Sequence, residues 1–157
     1  MFINQGALVL FSFLVFHSTA AVKNAIKVGP CEGKPPQLAK LNSVDVTPCP
    51  SQPCIFHKGT TVNATIYFTP NEDVSAGRLE AFGKVGEAKL PFPLPQPDAC
   101  EDHGLKCPLK EGVEVGLKLS LPIKHEYPSL EVTAIFDLKD QANKYLFCFE
   151  FAAKIAD

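Results

Sequence analysis

The chain has 157 residues, 15 Lys+Arg against 17 Asp+Glu for a net charge of −2, and is 46% hydrophobic with 12 phenylalanines and no tryptophan. That length suits one domain with a real core. Balanced, scattered charge lacks the basic stripe of a nucleic-acid binder, and the apolar content excludes an intrinsically disordered chain.

Residues 1–16 carry no charged side chain and end in the apolar run FSFLVF, with Ser18, Thr19 and Ala20 before the first lysine, Lys23. This pattern predicts a secretory leader over 1–20 and a mature single domain over 21–157. No later segment approaches the roughly 18 continuous apolar residues of a membrane span. The expected location is therefore extracellular or the endolysosomal lumen.

The rest of the chain repeats with period two. In TTVNATIYFT, Val62, Ala64, Ile66 and Phe68 share one face, and Asn63, Thr65 and Tyr67 the other. The sequon Asn63-Ala-Thr65 thus points away from the apolar face, where a glycan fits. Val113, Val115, Leu117, Leu119 and Leu121 alternate in the same way, as do Leu130, Val132, Ala134, Phe136 and Leu138. Tyr145, Phe147, Phe149, Phe151, Ala153 and Ile155 form an aromatic-rich face. Weaker strands are predicted over 25–29, 43–47, 53–57, 77–85 and 87–91. Turn residues separate these short segments, and no helix is predicted. The pattern is that of an immunoglobulin-like antiparallel β-sandwich of about seven to eight strands.

The segment LPFPLPQPDAC is different. Its prolines at 91, 93, 95 and 97 exclude a central strand and favour a stiff, extended course. It is expected to be either a crossover that plugs the core edge with Phe92 and Leu94, or the lip of an apolar cavity.

Six cysteines in a secreted chain read as a disulfide framework. Cys49 and Cys54 bracket a Pro-Ser-Gln-Pro turn, Cys100 and Cys107 bracket a second short loop, and Cys31 and Cys148 remain. The string Cys49-x4-Cys54-x2-His57 also has loosely suitable zinc ligands, but it lacks a fourth at zinc spacing. Catalytic signatures are missing from the sequence: there is no G-x-S-x-G elbow, no phosphate loop and no dinucleotide fingerprint, and His125-Glu126 has no second histidine at zinc-protease spacing. Neither enzymatic activity, nor a cofactor, nor a metal is expected. Asp98, directly after the proline segment, is the carboxylate in the most unusual setting.

The strings VTPCPSQPCIFHKG, PFPLPQPDAC, LPIKHEYPSL and YLFCFEF, in that order with their cysteines, resemble the ML (lipid-recognition) domain family, whose members include vertebrate sterol carriers and the group-2 mite allergens. IFHKG and the ending AAKIAD resemble its arthropod branch. The resemblance implies disulfides Cys31–Cys148, Cys49–Cys54 and Cys100–Cys107, and two sheets that part around a lipid. It implies a pocket mouth of Phe92, Ile123 and Tyr127. The walls would come from Phe136, Phe149, Val62, Ala64, Leu121 and Pro122. Lys58 and Asp98 match positions near the face used for lipid transfer. Phe136 and Phe149 stand where the vertebrate sterol carriers have tryptophan, and Glu101 where they have lysine. The implied partners are a hydrophobic ligand (a sterol, fatty acid or semiochemical) and, transiently, a membrane or membrane transporter, with the protein a monomer. An alternative is innate-immune recognition of lipopolysaccharide-type lipid, which calls for a cationic rim from Lys58, Lys89, Lys106 and Lys124.

Overall fold

A computed structural model describes residues 25–33 and 35–157. The predicted leader lies outside the described residues. Among the described residues there are nine strands: β1 Gly29–Pro30, β2 Ala39–Thr47, β3 Cys54–His57, β4 Thr61–Pro70, β5 Gly77–Val85, β6 Ala88–Phe92, β7 Val115–Pro122, β8 Leu130–Asp140 and β9 Tyr145–Ala156. They form two facing sheets. The smaller has the order β2-β4-β7; the larger has the order β1-β9-β8-β5-β6, with β3 also on β9. All pairs are antiparallel except β3–β9, which is parallel. The disulfides are Cys31–Cys148, Cys49–Cys54 and Cys100–Cys107.

Most predicted strands stand where periodicity places them, and three details differ. The stretch 25–29 is not one strand. Ala25 bridges Asp45 on β2, the Ile26 N–H donates to the Val44 carbonyl at 2.8 Å, and Gly29 and Pro30 then pair with Glu150 and Phe149 on β9. The chain crosses from one sheet to the other here, because the Cys31–Cys148 bond draws it to β9. Tyr145 leaves the aromatic face. The β8–β9 register slips between Leu138 and Lys139, so Leu138 pairs with Phe147 but Lys139 with Tyr145. Such a bulge inserts one residue and reverses the faces before it, which turns Tyr145 towards Ile135 and the Cys31–Cys148 disulfide. Val113 precedes β7 and is 53% exposed.

The two ends of the sandwich are packed differently. At one end the inward positions are large, and Phe68, Leu79, Leu117, Leu138 and Phe147 are fully buried, with the rings of Phe68 and Phe147 edge to face at 5.2 Å. At the other end the same two sheets supply Ala64, Ala81, Gly83, Ala134 and Ala153. Small side chains facing each other across two sheets leave space between them.

Candidate lipid-binding cavity

That space is an apolar cavity of about 130 Å3, measured to the centre of a water-sized sphere. β2 lines it with Val44 and Val46, β4 with Val62, Ala64 and Ile66, and β7 with Leu119 and Leu121. From the larger sheet come Ala81, Phe82 and Gly83 of β5, Phe92 of β6, Val132, Ala134 and Phe136 of β8, and Phe149, Phe151, Ala153 and Ile155 of β9. Phe56 of β3 and Ile123, just after β7, complete the wall. Every lining residue is hydrocarbon or glycine, so no side chain in the wall hydrogen-bonds water or titrates. Space of this character takes apolar matter.

An aromatic stack forms one side. The Phe136 ring lies 5.8 Å from Phe149 and 6.3 Å from Phe151, nearly parallel to both. Gly83 permits close approach of β5 and β8, since a Cβ there would sit 3.0 Å from Val132 Cγ2. At the rim, Gly59 donates its N–H to the Ile123 carbonyl and Ile123 donates to the Thr60 carbonyl, at 2.6 and 2.8 Å. Gly59 has φ +77°, and a Cβ there would strike the His125 ring at 2.6 Å, so only glycine fits this turn.

Phe92, Ile123, Phe136, Phe149, Val62, Ala64 and Leu121 all line the cavity. Tyr127 does not. It stands one layer out, its ring edge to face with Phe92 at 5.6 Å. Pro122 is exposed, because inward positions on β7 are the odd-numbered Leu117, Leu119 and Leu121. Lys58 is not a free surface cation: its side chain is 15% exposed and its Nζ lies 2.7 Å from Asp157 Oδ1. Asp98 ends the proline segment, where it bridges Arg78 and its Oδ1 accepts from the Cys100 N–H at 2.9 Å. Asn63 is exposed on the outward face of β4. Cys49 and Cys54 are bonded to each other, so neither is a thiolate available to zinc.

Sequence reasoning assigned none of the remaining residues to the wall, Val44, Phe56, Ala81, Gly83, Ala134 and Phe151 among them. The signal that was available is small size: alanine and glycine recur at inward positions at one end of the sandwich.

The ML-domain profile matches residues 25–155. The chain belongs to the ML-domain family. It is 31% identical to the NPC intracellular cholesterol transporter 2 of Bos taurus over 147 residues, 94% of this chain and 95% of the relative. It is 39% identical to the NPC intracellular cholesterol transporter 2 homolog a of Drosophila melanogaster over 102 residues, 65% of this chain and 69% of the relative. A crystal structure of a Niemann-Pick type C2 protein from Japanese carpenter ant superposes with a TM-score of 0.77 at 26% identity, covering 83% of this chain and all of that one. In this ML domain the cavity is bounded by both sheets, so its volume is set by their separation.

Proposed function

We propose that the protein is a carrier that takes one hydrophobic lipid, a sterol or a molecule like it, between its two sheets and delivers it to a membrane or receptor. The observation that carries this reading is the wholly hydrocarbon wall drawn from both sheets. The relatives named as cholesterol transporters support it. Each 100 Å2 of ligand surface withdrawn from water contributes about 2.5 kcal/mol, so affinity needs no polar contact. Selectivity then rests on shape, and is permissive, because one methylene in a hydrophobic pocket is worth only about 1–3 kcal/mol. The protein has no catalytic part to play in this scheme. It is secreted by a leader over 1–20, carries a glycan at Asn63, and acts as a monomer outside the cell or in the endolysosomal lumen.

The cavity's width favours a second reading within the same class. A cavity of about 130 Å3 accepts a flexible acyl chain or a small semiochemical with less movement of the sheets than a rigid fused-ring sterol requires. Lipopolysaccharide recognition fits less well. Lys58 is paired with Asp157, Lys89 lies over the Phe82 ring at 4.0 Å, and Lys124 is 3.8 Å from Glu126, so most of the proposed cationic rim is engaged.

A displacement assay tests this. Protein secreted from the full-length chain is loaded with a fluorescent sterol and titrated with cholesterol, oleic acid and a bacterial lipid. Displacement by cholesterol at low micromolar concentration is expected. Displacement by oleic acid alone moves the protein to acyl carriage. Failure of folded protein to bind any probe refutes the carrier reading.

A further inference from the structure

His103 is buried, at 8% exposure, in the loop closed by Cys100–Cys107. Asp102 and Gly104 on either side have φ of 59° and 76°, which turns the imidazole inward. Both ring nitrogens face backbone carbonyls. Nδ1 lies 2.7 Å from the Lys118 oxygen on β7, and Nε2 lies 2.9 Å from the Gln96 oxygen in the proline segment. A carbonyl oxygen only accepts, and a neutral imidazole carries one N–H. The two contacts are both hydrogen bonds only when the ring is an imidazolium; with one proton lost, a lone pair faces one of the oxygens.

The contacts join two parts that otherwise belong to different walls. The proline segment leaves β6 on the larger sheet, and its far end is fixed to β5: Leu79 donates to the Pro97 carbonyl and Ala99 to the Gly77 carbonyl, both at 2.8 Å. Pro93, Pro95 and Pro97 have no N–H, so the segment offers acceptors and few donors. A two-donor side chain is what ties it to the smaller sheet. The Lys118 N–H returns a bond to the His103 carbonyl at 2.9 Å, and Leu119, next in β7, lines the cavity. Phe92, at the start of the same segment, lines it from the other side.

We propose that His103 is a proton-operated clasp across one edge of the cavity. As an imidazolium it closes the proline segment onto β7; as a neutral ring it releases one carbonyl, and the walls part more readily for ligand exchange. His103 is thus a positioning residue, acting on the wall and not on the ligand. Asp102 and Lys118 line the groove beside it, Glu101 and Lys106 share its loop, and Asp98 stands at the segment's end. The ligand-exchange half rests on the carrier reading; the clasp itself does not.

Two measurements on the secreted full-length protein test this. The first is nitrogen NMR of the ring with amide exchange of Lys118, whose N–H donates to the His103 carbonyl, from about pH 4.5 to about pH 8, the range in which histidine changes charge. Both nitrogens should carry protons at the acid end, and amide protection should fall as one is lost. The second is the entry rate of a fluorescent fatty acid. It should rise roughly tenfold across the same interval in the native chain and stay flat in His103→Gln; a charge-assisted hydrogen bond is strong enough for that factor. A ring singly protonated throughout, or amide protection unchanged as the proton leaves, overturns the clasp, and neither result needs the variant to fold. Identical entry profiles in the native chain and a folded variant also overturn it. Absence of any probe binding, with the ring and exchange behaving as stated, refutes the carrier reading and leaves the clasp supported.

Discussion

Ala134→Phe should abolish ligand binding and leave the protein folded. Ala134 lies midway along β8, paired with Gly83 on β5 and Phe151 on β9, and its side chain faces the cavity. Phenylalanine there puts a ring in the space that the ligand is proposed to occupy. Adding bulk to a well-packed core costs about 1–3 kcal/mol, but here the ring has room. Cavity filling commonly stabilises by about 0.5–2 kcal/mol. The expected result is an affinity loss of at least about a hundredfold, or about 2.7 kcal/mol, with a melting temperature equal to or above that of the native chain. Pro122→Ala is the matched control, since Pro122 faces outward at the end of β7; its affinity should not change. Native affinity in folded Ala134→Phe would place the ligand elsewhere.

The protein should gain stability as the pH falls from 7 towards 5, chiefly through one carboxyl. Asp137 is 1% exposed, on the outward face of β8 between Glu80 of β5 and Cys148 of β9, and its Oδ1 has no hydrogen-bond partner. Burial pushes it up to about 6; the Lys139 ammonium opposes that shift and the Glu80 carboxylate adds to it. Lys139 is already committed to Glu80 at 2.7 Å, which holds Glu80 below its usual range. Because the folded value lies above the unfolded one, the native state binds the extra proton. Stability is then lost as the pH rises through about 4 to 6, by on the order of 2–3 kcal/mol in full. Below this window the paired carboxylates Glu32, Asp73 and Asp157, all held low by their partners, act in the opposite sense. Asp137→Asn should raise stability at pH 7, raise it much less at pH 4.5, and flatten the slope between. Urea unfolding at the two pH values measures this, and an unaltered slope in the variant contradicts the assignment. Any contribution from His103 cancels in the comparison.

The strands were legible because burial on one face writes itself as period two. Val62, Ala64, Ile66 and Phe68 needed no structure to be put on one side of β4. The pairing of Cys49 with Cys54 and of Cys100 with Cys107 followed from short loops. The cavity was reached by resemblance and not by pattern. A space between sheets is a volume mismatch between residues far apart in sequence, such as Ala64 on β4 and Ala134 on β8, and alternation says only that both face inward. Tyr145 was misplaced because a one-residue bulge leaves no mark in the hydrophobic pattern. Pro122 was carried along with its motif neighbours Leu121 and Ile123, although parity along β7 turns it outward. Asp137 and His103 were invisible for a related reason. A carboxylate on the outer face of a strand reads as solvated until the fold buries it between Glu80 and Cys148, and a histidine in a short loop shows no acceptors until the fold brings Gln96 and Lys118 to its two nitrogens.

A crystal structure of the protein loaded with cholesterol tests the central claim most directly. The sterol should lie between the sheets against Phe136, Phe149 and Phe151, with β2, β4 and β7 moved away from β5, β8 and β9 and the cavity enlarged well beyond 130 Å3. A sterol on the outer surface, with the space between the sheets unchanged, would contradict it.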